Sequence, residues 1–443
     1  MFILVWIGAI IVILTFVAIV KKVETRLALF VSGLLMATIA GKPWFAAVAF
    51  ERAMVNSGLV PVICSVMGFA FVLKLTKCDQ HLVHSLTKPL SAMRPVLIPG
   101  AILVTFLINT SLTSAAGSAA AVGAVLIPAL VGAGVHPAAA AAAVFAGTWG
   151  SAFNPGTSHI PIVAGLANVD PMTVIGNHTI PVLAGLASIL IISTITAFVR
   201  KETSGYIAEG FSLEDGTNDF KVNPIKALVP VIPLLILVLT NPKIQKDLAI
   251  LFGMENTLGL PIVTIVQAML IGCGLAFLVS ITSDIKKSFD TLQDTSKQFF
   301  AGMGDAYGSV IGIIICAAAF TSGMQAIGLT GALIDVMKNS TSIAKFASTF
   351  GPLLIAVLSG SGDAATIAFN QSITPHAADF GFQIMDMGSQ AFLTGAWGRS
   401  MSPVAGAAIV LAGLAKIDPI ELTKRNALPM IVASIISMFL LMG

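Results

Sequence analysis

Gly147 to Pro155 reads GTWGSAFNP, and Gly395 to Pro403 reads GAWGRSMSP. Shortly after each comes a second matching pair, AGLANVDP at 164–171 and AGLAKIDP at 412–419. Trp149 and Trp397 are separated by 397 − 149 = 248 positions, and Asp170 and Asp418 by 418 − 170 = 248. Pro181 and Pro429 keep the same spacing. Several landmarks at one constant offset mean that the chain is a duplication, so the fold must be built from two similar halves.

What surrounds these motifs decides the solvent. Of the 443 residues, 56% are hydrophobic and only 10% are charged. A water-exposed surface normally needs about 25% charged residues. Too few are present to cover this chain, so lipid must cover part of it. Apolar stretches able to cross about 30 Å of hydrocarbon recur throughout. The clearest are 2–20, 27–41, 58–73, 180–199, 258–281, 306–320 and 427–443. The N-terminal run has no basic residue before it, and Lys21, Lys22 and Arg26 follow it. A cleaved signal carries its charge in front, so the run reads as a retained first helix with its N-terminus outside.

Basic residues set the orientation. Loops 21–26, 74–94, 200–226, 284–297 and 416–425 together hold 17 of the 24 Lys and Arg. The opposite loops hold Lys42, Arg52, Lys243, Lys246, Lys338 and Lys345, and Arg399 lies inside an uncharged membrane stretch. This bias predicts one consistent topology with the basic loops in the cytoplasm. The expected architecture is an all-α polytopic membrane protein. It has two inverted repeats of about five transmembrane helices each, with one re-entrant helical hairpin per repeat and interrupted helices at the midplane. The first repeat covers 1–200, with its hairpin at about 95–128 and its broken helix at about 138–167. A cytoplasmic linker covers 201–223. The second repeat covers 224–443, with its hairpin at about 344–376 and its broken helix at about 388–415. An odd number of crossings per repeat turns the second copy upside down, which puts both termini outside and a binding site at the midplane between the halves.

Four polar breaks mark that site: Asn109-Thr110-Ser111-Leu112-Thr113-Ser114; Asn154-Pro155-Gly156-Thr157-Ser158-His159; Ser359-Gly360-Ser361-Gly362-Asp363; and Arg399-Ser400-Met401-Ser402-Pro403. Between Arg94 and Asp170 no residue carries a formal charge, so the first two lie deep in an apolar region. Breaks are tolerated in a membrane only where protein or a wet cavity satisfies the freed backbone groups. A helix that restarts there offers free N–H groups and the positive end of its dipole, which suits an anion. Two pseudo-symmetric tips suit a substrate with a carboxylate at each end. The plainer reading is that Ser, Gly and Thr let helices pack closely.

Arg399 is the sharpest single candidate, because a lone cation near midplane costs at least about 2.5–3.5 kcal/mol. A carboxylate ligand would offset that cost, and so would Asp363. Its repeat partner is Ser151, and that of Asp363 is Ala115, so neither charge is a symmetric structural feature. Asp363 could carry a coupling proton, ligate sodium or neutralise Arg399; Asp305 and His159 are further candidates for ion coupling. Trp149 and Trp397 read as packing anchors, and Glu51 and Arg52 as the solvated face of an interfacial helix. Cys64, Cys78, Cys273 and Cys316 form no CxxC pair, so no disulfide framework or metal site is expected. Basic runs interleaved with aromatics are missing, which argues against nucleic acid as a partner.

The segments INTSLTSAAGSAAAVGAVLIP (108–128), WGSAFNPGTSHIPIVA (149–164), SGSGDAATIAFNQSITPHA (359–377) and GAWGRSMSPVAGAA (395–408) resemble those of the ion transporter superfamily. They are most similar to the anaerobic four-carbon dicarboxylate uptake carriers of the Dcu C type. The resemblance covers nearly the whole chain. It implies secondary transport of succinate, fumarate and malate across the bacterial inner membrane, coupled to an ion (the proton) or run as exchange, often exporting succinate. It also implies an elevator-like or rocking movement, and tips at Asn109, Thr110 and Ser111 and at Ser359, Gly360 and Ser361. Here Ser follows Asn-Thr where related citrate and dicarboxylate carriers have it first, and the second tip has no Asn. The expected partners are the substrate, a coupling proton or sodium ion, the lipid bilayer and a second copy in a homodimer; no cofactor is expected. Citrate transport and sodium/proton antiport on the same fold are alternatives. A third is an intramembrane aspartyl protease, since residues 360–363 read GxGD, but that chemistry needs a second Asp sharing a proton.

Overall fold

The computed structural model describes residues 2–57, 59–90, 96–206, 220–251, 259–281, 288–338 and 341–443. Residues 207–219 of the expected linker, 284–287 of one basic loop and position 95, where the first hairpin was expected to begin, lie outside the described residues. Among the described residues the structure is helical, with no strand. The first half runs α1 (Phe2–Val20), α2 (Thr25–Ile39), α3 (Pro43–Met54), α4 (Val60–Thr76), α5 (Cys78–Leu90), α6 (Leu97–Ser111), α7 (Ala115–Gly132), α8 (Pro137–Ala146), α9 (His159–Ala167) and α10 (Pro171–Val199). Beyond the linker come α11 (Pro224–Leu228), α12 (Ile232–Thr240) and α13 (Pro242–Leu251), followed by α14 (Ile265–Ile281). Next, α15 (Ser288–Ala306) passes through a π turn (Tyr307–Ile311) into α16 (Gly312–Ala326). The chain closes with α17 (Leu329–Lys338), α18 (Thr341–Ser359), α19 (Gly362–Ser372), α20 (Ile384–Arg399), α21 (Gly406–Ala415) and α22 (Pro419–Met442).

The duplication is written into the helix ends. α10 and α22 each begin with Pro at the first turn, where its missing N–H costs nothing. The preceding residues, Asp170 and Asp418, cap them by accepting from Met172 N at 2.8 Å and Ile420 N at 2.7 Å. The helices before them end on left-handed residues, Asn168 (φ 54°) and Lys416 (φ 55°). α6 ends at Ser111 and α18 at Ser359, again 359 − 111 = 248 apart. α7 runs on through Pro128 to Gly132, past the expected hairpin end.

Among the described residues, five helices are individually long and apolar enough to cross a bilayer: 115–132, 171–199, 290–326, 342–359 and 419–442. A sixth candidate is the pair α4 and α5, bent by 77° between them. Together with the apolar surface that α1, α2 and α10 leave exposed, this makes a multi-pass membrane protein.

Contacts at the helix ends define two poles. Arg425 near the start of α22 makes a fork-like pair with Glu202, and His136 N donates to the Glu202 carbonyl at 2.9 Å. Asn223 N donates to His81 Nδ1 at 3.1 Å, so three of the five basic loops meet at this pole. At the far end of α22, Met442 Sδ takes the Ser348 hydroxyl at 3.2 Å, and Lys345 lies 5.5 Å from the Phe439 ring centre. α18 therefore starts at the pole opposite to the one where α7 ends. Glu51 and Arg52 are exposed, as expected, while α3 packs its other face on α16, where Ser322 Oγ donates to Phe45 O at 2.9 Å.

Trp149 and Trp397 are fully buried and meet edge to face, with ring centres 5.3 Å apart. The two copies of the motif thus touch at the centre of the molecule. Its glycines have a steric cause. A Cβ on Gly150 would lie 1.9 Å from the Phe106 carbonyl oxygen of α6, and one on the equivalent Gly398 would lie 2.3 Å from that of Leu353 of α18. The hairpin arm crosses the broken helix at a distance only glycine allows. Gly150→Ala is expected to destabilise the protein by more than the about 1–3 kcal/mol of ordinary overpacking. Gly165→Ala, with nothing within 4 Å, should leave stability unchanged. Thermal unfolding of the two variants in detergent checks this.

Candidate functional site

Two helical hairpins, α6–α7 and α18–α19, approach two broken helices, α8–α9 and α20–α21. In the first half the tip and the break are stitched together by side chains. Asn109 Nδ2 donates to Leu112 O at 2.8 Å, and its Oδ1 accepts from Ser151 N at 2.9 Å. Asn154 Nδ2 donates to Thr110 O at 2.8 Å, and its Oδ1 accepts from Gly156 N at 2.9 Å. Thr110 Oγ1 donates to Gly150 O at 3.1 Å, and Thr157 Oγ1 to Ser151 O at 2.8 Å. These groups satisfy backbone that the breaks would otherwise strand in an apolar interior.

The second tip is built differently. Gly360 turns the chain at φ +75°, and a Cβ there would lie 2.9 Å from Ala405 N. Ser361 caps α19, its hydroxyl accepting from Ala364 N at 3.4 Å, and Ser361 N donates to Ser359 Oγ at 3.2 Å. At the second break, Ser400 Oγ donates back to Ala396 O at 3.1 Å, and the Ser402 hydroxyl is buried without a partner.

Between them lies a cavity of about 470 Å³. Ten of the residues singled out from the sequence line it: Thr113, Gly156, Thr157, His159, Asp305, Gly360, Ser361, Gly362, Asp363 and Arg399. Asn109, Thr110, Ser111, Asn154, Pro155, Ser359, Ser400 and Ser402 stand outside the lining, in the wall behind it. Ser114, Ser151, Ser158, Ser309 and Phe392 also line it, with Ile63 and Met67 of α4 opposite the tips. Of these, Ser114 and Ser158 fall within the breaks and Ser151 is the repeat partner of Arg399, while Ser309 and Phe392 carry no signal in the sequence.

Four helices begin at this cavity: Ala115 and Ala116 of α7, His159 of α9, Gly362 and Asp363 of α19, and Gly406 and Ala407 of α21 all line it. α9 and α21 have no side-chain cap; in α9 Ile160 N donates to Thr157 O and Pro161 has no N–H, so it is the first turn of α21 that leaves N–H groups for a ligand. Four positive dipole ends aimed at one space favour an anion there.

Arg399 ends α20 and donates from one terminal nitrogen to Thr148 O at 2.6 Å, while its Nε is buried with no partner. An unmet buried donor costs about 1–3 kcal/mol, more on a charged group. Asp363 pairs with His159, Oδ1 to Nε2 at 2.9 Å. The Asp363 side chain is 63% exposed to the cavity and the His159 side chain only 3%. His159 stacks on Phe392 at 4.7 Å, and its Nδ1 is buried without a partner. The pairing joins residues 204 positions apart, which no local motif signals. The carboxylate's bond to a histidine differs from the carboxylate pair that an aspartyl protease needs.

The chain matches the family model described as C4-dicarboxylate anaerobic carrier over residues 3–443. It is 36% identical over 286 residues to an uncharacterized transporter of Haemophilus influenzae, a match covering 63% of this chain and 96% of that protein. It is 25% identical over 381 residues to the anaerobic C4-dicarboxylate transporter DcuC of Escherichia coli K12, covering 85% of this chain and 78% of that one. Among solved structures, the Alcanivorax borkumensis YdaH transporter aligns with TM-score 0.57 at 14% identity, covering 90% of this chain and 85% of that one. Neisseria gonorrhoeae MtrF, described with a class of antimetabolite efflux pumps, aligns with TM-score 0.58 at 14% identity, covering 89% and 83%. At that identity the likeness speaks for the fold alone.

Proposed function

Because the chain belongs to the C4-dicarboxylate anaerobic carrier family, we propose that it is a secondary active transporter of succinate, fumarate and malate in the bacterial inner membrane. The observation that carries this reading is Arg399, a cation with an unmet buried donor, lining a cavity on which four helix starts converge. One carboxylate of the substrate takes the Arg399 guanidinium, whose planar fork matches it. The other lies against the uncapped start of α21. Thr113, Thr157 and Ser361, with the backbone of Gly156, Gly360 and Gly362, complete the shell. Asn109, Thr110, Ser111, Asn154, Pro155, Ser359, Ser400 and Ser402 hold the wall in shape.

The Asp363–His159 pair is the coupling element and carries a proton, with Asp305 a second acidic group on the same cavity. The halves are inverted repeats, 1–200 and 224–443, joined by the linker at 201–223. This is supported by α18 starting at the pole opposite to the end of α7. The pole where the basic loops meet is cytoplasmic, and succinate leaves by exchange or proton-coupled efflux as the hairpin body slides or rocks against α1–α4 and α14–α16.

Counterflow in proteoliposomes with mono-, di- and tricarboxylates, at several pH values and with and without sodium, tests the reading. Labelled succinate should exchange with fumarate and malate and respond to pH, not to sodium. Exchange only with citrate, or a strict sodium requirement, would overturn it.

A further inference from the structure

The two tips are fastened unequally. The first is braced to its break by Asn109, Thr110 and Asn154. Around the second, Asp363 at the start of α19 pairs with His159, and the tip's own turn is held by a side chain from the other end of the molecule's sequence. Lys22, in the α1–α2 turn, donates from Nζ to Ser359 O at 3.3 Å and to Val404 O at 3.3 Å. These are carbonyls released by the end of α18 and by the break before α21. The turn itself is held in shape: Lys22 has φ 67°, Glu24 caps α2, and Arg26 donates to Gly308 O where α15 passes into α16. Gly360 and Gly406, one and two residues beyond those carbonyls, line the cavity. The ammonium therefore sits at the cavity's edge and bridges α1–α2 to the second hairpin and the second broken helix.

Charge gives this contact a role. The cavity lining holds one Arg against two carboxylates, Asp305 and Asp363. A dianion entering it needs a second cation. Lys22 is within reach, and its two bonds are long and go to neutral oxygens. A carboxylate is a stronger acceptor than either.

We propose that Lys22 is a substrate-responsive latch and the second anion-recognising cation of the site. In the empty carrier it ties the second tip to the α1–α2 turn. The far carboxylate of a bound dicarboxylate draws the ammonium off Ser359 and Val404, which recognises the second charge and frees the hairpin to move in one event. This rests on the dicarboxylate reading above, and it selects two-ended anions over one-ended ones.

The test pairs transport with a conformational readout. Lys22→Gln should raise the succinate KM in counterflow about tenfold, the worth of one charge-assisted bond. Lys22→Arg should restore it, and inhibition by a monocarboxylate such as butyrate should be the same in all three proteins. A cysteine in place of Val404, which is 38% exposed, reports the latch through its maleimide labelling rate. With Lys22 present, succinate should speed labelling; in Lys22→Gln, labelling should be fast without succinate. Wild-type KM in Lys22→Gln, or labelling indifferent to both succinate and the substitution, would overturn the latch. Arg399→Gln run in parallel separates the two failures. If it is inactive while Lys22→Gln is normal, only the latch falls; if both are normal, the dicarboxylate site falls with it.

Discussion

Arg399→Gln is expected to reduce succinate counterflow by at least about thirtyfold while leaving the protein folded. Removing one partner from a desolvated charged contact costs about 2–5 kcal/mol, which sets that lower bound. The empty protein should not suffer in proportion. Arg399 has one bond to Thr148 O and a buried Nε with none, so its burial stabilises little without a ligand. Thermal unfolding in detergent should give an unchanged or higher midpoint for the variant, and the rise that succinate produces in the parent should vanish. Arg399→Lys should fall between the two, since an ammonium keeps the charge and loses the fork. Normal counterflow by Arg399→Gln would sink the assignment; a lower midpoint with no folded protein would instead make Arg399 structural.

Asp363→Asn is expected to abolish concentrative uptake driven by a pH gradient and to spare exchange at equal pH. Asparagine keeps the shape and can still accept from His159, but it takes up no proton. Asp363 faces the cavity and His159 stays behind it, so a proton exchanged at this pair can follow the substrate to whichever side the cavity opens. One pH unit across the membrane supports about tenfold accumulation per coupled proton. In the variant, internal succinate should merely equal external succinate while counterflow remains within a fewfold of the parent. Accumulation that survives the substitution would move the coupling proton elsewhere, to Asp305 first.

The two predictions draw on different kinds of information. Arg399 stood out in the sequence because a charge in a long uncharged stretch is costly in a membrane wherever it points. The breaks at 109–114, 154–159, 359–363 and 399–403 were legible for a similar reason: Gly, Pro and Ser/Asn/Thr stop a helix by local chemistry. The division of labour among them was not legible. Asn109 and Asn154 carry the same amide as any ligand-binding asparagine, and only the positions of Ser151 N and Thr110 O turn them into braces. Ser309 and Phe392 had no motif at all and come to the cavity through the packing of the π turn before α16 and of α20.

By itself, the sequence determined the solvent, the duplication at a constant offset of 418 − 170 = 248, the helix ends and the places where helices break. Each of these follows from short-range rules of hydropathy, capping and backbone freedom, which act within a few residues. That the two tryptophans meet, that Asp363 finds His159 rather than Arg399, and that Lys22 reaches the second tip came from the folded arrangement alone. Those contacts join residues hundreds of positions apart. Their geometry comes from how whole helices pack against one another, which no local pattern of residues encodes.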